Sequence, residues 1–140
     1  SAKKWQILHM DRNSGAYAAR NKGVRYSTGD LITVHDADDW SHPQKIELQV
    51  EALRQNPDKK ASISALVRAT EDMLFTRWKL TDSLIHRNVS SLMIRRAIHN
   101  ELGYWDEIRA GADTEYYYRI LNAYGTDAIV EVLPGVPLSL

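Results

Sequence analysis

The densest chemistry in the sequence is Asp36-Ala37-Asp38-Asp39, directly behind the apolar run Leu31-Ile32-Thr33-Val34-His35. In an extended backbone, side chains two residues apart point to the same side. Asp36 and Asp38 can therefore face one point in space while Asp39 turns into the following bend. Three carboxylates this close repel one another unless a cation, an arginine or hydrogen-bond donors neutralise them. Hard oxygen ligands at the end of a strand suit magnesium or manganese, ions that keep waters and are commonly shared with substrate phosphates. Turn and capping chemistry explains one or two aspartates here, but explains three acids behind a hydrophobic strand poorly.

Such a cluster needs a buried strand in front of it and a helix behind. Residues 31–35 alternate poorly and predict a strand covered on both faces. Ser41-His42-Pro43-Gln44 has capping-box spacing with a proline in the first turn, and Ile46, Val50 and Leu53 recur at helical spacing, so a helix is predicted to run to about Asn56-Pro57. Upstream, residues 5–10 read as a short strand and 11–15 as a turn. Residues 16–27 read as a helix with Ser14 as N-cap, Gly29 as its left-handed terminator and Gly23 as a point of close packing.

Downstream, residues 61–69 predict a strand with 73–78 as its partner, while 80–88 give no clear pattern. Residues 90–94 predict a buried strand that leads through Arg95-Arg96 into a short helix broken at Gly103. After a loop at 104–112, residues 114–124 form a helix with Tyr117, Ile120, Leu121 and Tyr124 on one face and Gly125 as its stop. A last strand at 128–133 and an irregular tail at 134–140 complete the chain. The class is α/β with a sheet that is not purely parallel.

The 140 residues, 44% of them hydrophobic, suit one globular domain. With no cysteine, thiolate metal sites, cysteine nucleophiles and disulfide scaffolds are excluded. Eighteen Lys+Arg balance eighteen Asp+Glu, which argues against a nucleic-acid binder held by phosphate contacts. The balance is uneven locally, because Lys3, Lys4, Arg12, Arg20, Lys22 and Arg25 precede the acidic turn with only Asp11 among them. That arrangement can hold an anion beside a cation. Apolar runs such as 129–133 fall far below the roughly 18–20 residues of a membrane span, and no signal peptide is read at the start. His35 is expected to be a hydrogen-bonded core residue, and His42, His86 and His99 lack ligand spacing. Walker-type, GxGxxG and HExxH motifs are absent.

Taken together, Asn13-Ser14-Gly15-Ala16-Tyr17-Ala18-Ala19-Arg20-Asn21-Lys22-Gly23, then Thr28-Gly29-Asp30, then Asp36-Ala37-Asp38-Asp39-Trp40 and Pro43 resemble family-2 glycosyltransferases of the GT-A fold. Gly103-Tyr104-Trp105-Asp106-Glu107 and Gly111-Ala112-Asp113-Thr114-Glu115, with Arg119 on the following helix, resemble two further segments of that family. The resemblance covers roughly residues 5–130 and is weakest over 58–90. It implies an inverting, metal-dependent transferase that moves a sugar from a nucleotide-diphosphate donor to a glycan or other hydroxyl acceptor, in polysaccharide or glycan biosynthesis. Asp36 and Asp38 would bind manganese or magnesium and the nucleotide, with Asp39 supporting the loop. Gly15, Arg20 and Asn21 would shape the nucleotide pocket, although an Arg and an Asn on a helix are as often packing or solvated residues.

Asp113 is the implied general base, and Glu115 is close enough to compete with it. Asp113 is also well placed to cap the helix that follows. Trp40 and Trp105 could stack on a sugar, although core or rim packing is the commoner use of Trp. The family fold begins with a strand and nucleotide loop ahead of the point where this sequence starts. The resemblance therefore implies a fragment of a domain, with residues 1–4 outside the fold argument and an exposed sheet edge that a second copy could cover. It also implies a cytoplasmic location, peripheral to the membrane in a longer protein. Two other readings compete: a non-catalytic sugar- or nucleotide-binding module of the same fold, and a metal-dependent phosphotransferase or hydrolase.

Overall fold

The computed structural model describes residues 5–77 and 83–140. The elements run in the order α1 (Ala16–Tyr26), β1 (Leu31–Ile32), α2 (Lys45–Gln55), β2 (Ala61–Ala69), β3 (Phe75–Thr76), β4 (Ile85–Arg95), α3 (Arg96–Leu102), α4 (Ala112–Tyr124), β5 (Ile129–Glu131) and β6 (Pro137–Ser139). Small side chains at Ala61, Ser62, Ser64 and Ala65 let β2 be buried on both faces, and it forms the axis of the sheet. One edge of β2 pairs antiparallel with β4. Its other edge is shared by parallel β5 and β6 and then antiparallel β3. β1 pairs antiparallel with β4 at Leu31↔Arg95 and Ile32↔Ile94, and its outer edge is unpaired among the described residues. The sheet is mixed, as its strand pattern suggested.

Ala61 and Ile63 face a core built from Val24, Ile32, Ile94, Trp105, Tyr116 and Ile120, so α1, α3 and α4 contribute to this side. Ser62 and Ser64 alternate to the other face, where Ser62 Oγ donates to the Gln49 carbonyl of α2 at 3.3 Å. That polar face explains why α2 differs from its apolar pattern. Lys45, Gln49 and Leu53 point inward, whereas Ile46 and Val50 are exposed. Gln49 Nε2 donates to the Ser91 carbonyl at 2.7 Å, and Lys45 Nζ donates to Ser41 Oγ at 3.1 Å. Burial lowers the Lys45 ammonium from its ordinary range, and the charge of Asp39 only partly opposes this.

Several other expectations are corrected. Residues 5–10 form no strand, pairing with none of the strands among the described residues, and Trp5 and Ile7 are exposed. Ser14 does not cap α1, whose N-cap is Gly15. The helix ends in extended backbone at Ser27, where Arg96 donates to Ser27 Oγ and to the Gly29 carbonyl, so a left-handed glycine is not needed. A Cβ on Gly23 would meet nothing within 4 Å, so no close packing requires that glycine. β1 has two residues rather than five, because Thr33 Oγ1 donates to the Leu92 carbonyl in place of a ladder bond. The Ser41–Gln44 capping box does not form; Ser41 pairs instead with Ser139. The tail is not wholly irregular: Pro137 opens edge strand β6, and Leu138 buries its side chain. Trp78 and residues 80–82 lie outside the described residues.

His99 of α3 is buried, its ring edge-on to Tyr104 at 4.9 Å, and its Nε2 meets no protein hydrogen-bond partner. Burial, then the charge of Arg96, lowers its pKa. The unfolded chain, with a histidine of about 6.5, therefore takes up the proton more readily. The stability tied to neutral His99 is intact above about pH 6.5 and is lost as pH falls toward and through the folded value. Thermal melts from about pH 8 down to about pH 5 should show this decline, and His99→Phe should flatten it.

Candidate active site

The site is assembled from the starts of two helices, a distorted strand and the acidic turn. Gly15 takes φ 87° and ψ 165°, a region that side chains avoid, and so directs the chain into α1. Along α1, Tyr17, Arg20, Asn21 and Val24 share one face at helical spacing. The Arg20 guanidinium lies 5.0 Å from the centre of the Tyr17 ring. In β4, five residue steps from Asn88 to Met93 oppose two steps of β2. Ser91 pins the resulting bulge by donating to the Asn88 carbonyl at 2.7 Å and accepting from Ser64 N at 2.9 Å. A bulge re-aims side chains, and here it brings Ser90 to the site. Gly111, in left-handed conformation, starts α4 so that Asp113 is its second residue. Asp113 makes no capping bond, contrary to the capping expectation.

Arg20 joins the two acidic elements. Its Nη2 donates to both oxygens of Asp36, at 2.6 and 2.7 Å, and its Nη1 donates to both oxygens of Asp113, at 2.7 and 2.9 Å. Ser90 Oγ also donates to Asp113 Oδ2 at 3.1 Å, and the Tyr17 hydroxyl lies at 3.4 Å from the same oxygen. The side chains of Arg20 and Asp113 are 11% and 10% exposed, that of Asp36 38%. Burial alone would lower the Arg20 pKa, but hydrogen bonds and charge from Asp36 and Asp113 outweigh it and raise it. The guanidinium stays charged and its fork fixes the separation of the two carboxylates.

In the acidic turn, Asp39 N donates to the Asp36 carbonyl at 3.2 Å, while Asp38, Asp39 and Trp40 are exposed. Although exposed as a residue, Asp39 has its carboxyl raised above the ordinary range, first by partial desolvation and then by Asp36 and Asp38. The exit of the turn is tied to β6, with Leu140 N donating to the Trp40 carbonyl at 3.0 Å and His42 N to the Leu138 carbonyl at 2.9 Å. Among the described residues no group of three or more His, Asp or Glu side chains gathers into a cage. Asp36, partly exposed and spanned by Arg20, and exposed Asp38 are hard oxygen donors of the kind magnesium or manganese takes one or two of, with water and substrate oxygens in the remaining positions.

Asp36, Arg20 and Asp113 are thus brought together, and other expected site residues are not. Glu115 is held by Arg119, one turn further along α4. Asn21 turns into the core, 2% exposed: its Nδ2 donates to the Trp105 carbonyl at 2.8 Å and its Oδ1 accepts from Trp105 N at 3.1 Å. Gly15 acts through backbone conformation. Trp105 is core, 5.0 Å from Tyr116 between ring centres, so it offers no face to a sugar, whereas Trp40 remains exposed. His35 is exposed beside the turn, not in the core, with Nδ1 at 2.8 Å from the Asp36 carbonyl. Ser90 and Tyr17 were not anticipated. The three-residue spacing from Tyr17 to Arg20 could have revealed Tyr17, but Ser90 depends on the bulge, for which the sequence carries no signal.

An open groove of about 590 Å³ runs between α1 and β1 and reaches Arg20 and Asp36. The sequence profile of glycosyl transferase family 2 matches residues 1–116, which include every member of the Arg20 fork. The chain belongs to glycosyl transferase family 2.

Among curated relatives, the uncharacterized glycosyltransferase YwdF of Bacillus subtilis is 29% identical over 132 residues, 84% of this chain and 48% of that protein. An uncharacterized glycosyltransferase of Methanocaldococcus jannaschii is 29% identical over 140 residues, 91% of this chain and 48% of its own length. A glucosyl-dolichyl phosphate glucuronosyltransferase of Haloferax volcanii is 38% identical over 56 residues, 39% of this chain and 18% of that protein. The chain spans about half the length of the first two relatives. Its fold is GT-A-like, a mixed open sheet with helices packed against it. No helix among its described residues is long and apolar enough to cross a membrane.

Proposed function

We propose that this chain carries the donor-side acidic turn and the general base of an inverting glycosyltransferase, which moves a sugar from a nucleotide-diphosphate donor to a hydroxyl acceptor such as a glycan. The observation that supports this reading most is the Arg20 fork, because it places the acidic turn and Asp113 at one site. Asp36 and Asp38 would hold magnesium or manganese, which when bound neutralises the diphosphate and stabilises the charge that grows on the leaving nucleotide. Asp113 takes the proton of the acceptor hydroxyl while that oxygen bonds to the anomeric carbon. On the opposite face, the bond from the anomeric carbon to the phosphate oxygen breaks and the nucleotide leaves with the electron pair. Ser90 and Arg20 orient the Asp113 carboxylate, and exposed Trp40 offers an aromatic face to sugar C–H groups.

Binding of a panel of nucleotide sugars, titrated by calorimetry with and without Mn2+, tests the donor half. At least one should bind in a Mn2+-dependent way, and Asp36→Asn or Asp38→Asn should weaken that binding by about tenfold or more. Binding that ignores both the metal and the two substitutions would refute the assignment. Release of inorganic phosphate from simple phosphate esters without a sugar acceptor would favour a phosphotransferase or hydrolase instead.

A further inference from the structure

Arg20 Nη2 sits astride the Asp36 carboxylate, 2.6 and 2.7 Å from its two oxygens, where an ion chelated by that carboxylate would also sit. Nη1 sits in the same way astride Asp113. The two halves of the fork differ in access. The Asp113 side chain is 10% exposed and accepts from Ser90 as well as from the guanidinium, whereas the Asp36 side chain is 38% exposed and opens to solvent. The Asp36 contact is therefore the half that a dissolved ion can reach, while breaking the Asp113 half would leave an uncompensated carboxylate in a more buried place.

We propose that Arg20 is a positioning residue that competes with the divalent cation for Asp36 and, once displaced from it, keeps its hold on Asp113. Filling of the acidic turn is then coupled to the orientation of the base. This inference rests on the reading of Asp36 as a cation ligand. Because coupling between two binders is reciprocal, a guanidinium that weakens the ion's hold must, when removed, strengthen it. A purely structural arginine gives the opposite sign, since its loss would disorder the turn and weaken binding.

The test is titration of Mn2+ alone, followed by the loss of the free-ion electron paramagnetic resonance signal, on the wild-type chain, Arg20→Met and Arg20→Met/Asp113→Asn. The double variant removes the buried carboxylate that Arg20→Met leaves unpaired, so it provides a folded sample if the single variant is unstable. Removing the competing positive charge should tighten Mn2+ binding by about tenfold or more in Arg20→Met, and by a smaller factor of about threefold in the double variant, which also loses the nearby Asp113 charge. Wild-type binding with unchanged or weaker binding in the variants overturns the role given to Arg20 while leaving the acidic turn as a cation site. A wild-type chain that takes up no Mn2+ overturns both.

Discussion

Asp113→Asn should lower kcat by about 10²–10⁴-fold while leaving Mn2+-dependent donor binding within roughly twofold of wild type. The amide keeps the size of the side chain and one acceptor oxygen, and Arg20, which loses one charge partner, keeps the other in Asp36, so a urea melt should still show a folded variant. It cannot take the acceptor's proton, and that loss is felt only as the acceptor oxygen attacks. A fall in kcat with KM for the donor unchanged marks an interaction made in the transition state. Glu115→Gln is the control: Glu115 is bound to Arg119 and stands outside the fork, so turnover should stay close to wild type. Normal turnover in Asp113→Asn together with loss in Glu115→Gln would reverse the assignment.

Asn21→Ala should be among the most destabilising single substitutions in the fold, by about 2–5 kcal/mol. The Asn21 side-chain amide serves both the N–H and the carbonyl of Trp105, as a neighbouring strand would, in a loop where no strand is available. Alanine leaves two backbone groups unpaired beside a tryptophan that is 3% exposed, and each buried unsatisfied group costs about 1–3 kcal/mol. Urea denaturation should give a lower midpoint at an unchanged slope. Asn21→Asp should also destabilise, because it keeps the acceptor for Trp105 N but loses the donor to the Trp105 carbonyl. A loss below about 0.5 kcal/mol in Asn21→Ala would show that the loop is held by other contacts.

The acidic turn was legible because its signal is local, with three acids behind an apolar strand and a helix after them. The choice between Asp113 and Glu115 was not legible from spacing, since both fall in the first turn of α4. Gly111 opens that helix two residues earlier than the pattern suggested, which turns Asp113 toward α1 and leaves Glu115 to pair with Arg119. Ser90 was hidden because its position depends on a register shift between β2 and β4, a long-range property. The inward face of α2 was misread for a related reason: Lys45 and Gln49 are buried against serines of β2 and β4, so the apolar spacing of Ile46 and Val50 marked the wrong side. Asn21 sits in a motif compatible with either a pocket wall or packing, and its side chain is spent on packing, bonded to Trp105 and Glu107.

Asp36, Arg20 and Asp113 are expected to act as one cation- and diphosphate-dependent site. Paramagnetic relaxation enhancement by Mn2+, read on backbone amide resonances with and without a nucleoside diphosphate, tests it most directly. With both present, broadening should be centred on residues 36–39 and extend to Arg20 and the first turn of α4 at 112–114, while Ile46, Glu47 and Val50 on the outer face of α2 stay sharp. Broadening centred on Glu47 and Glu51, or spread over surface acids without regard to the nucleotide, would contradict it.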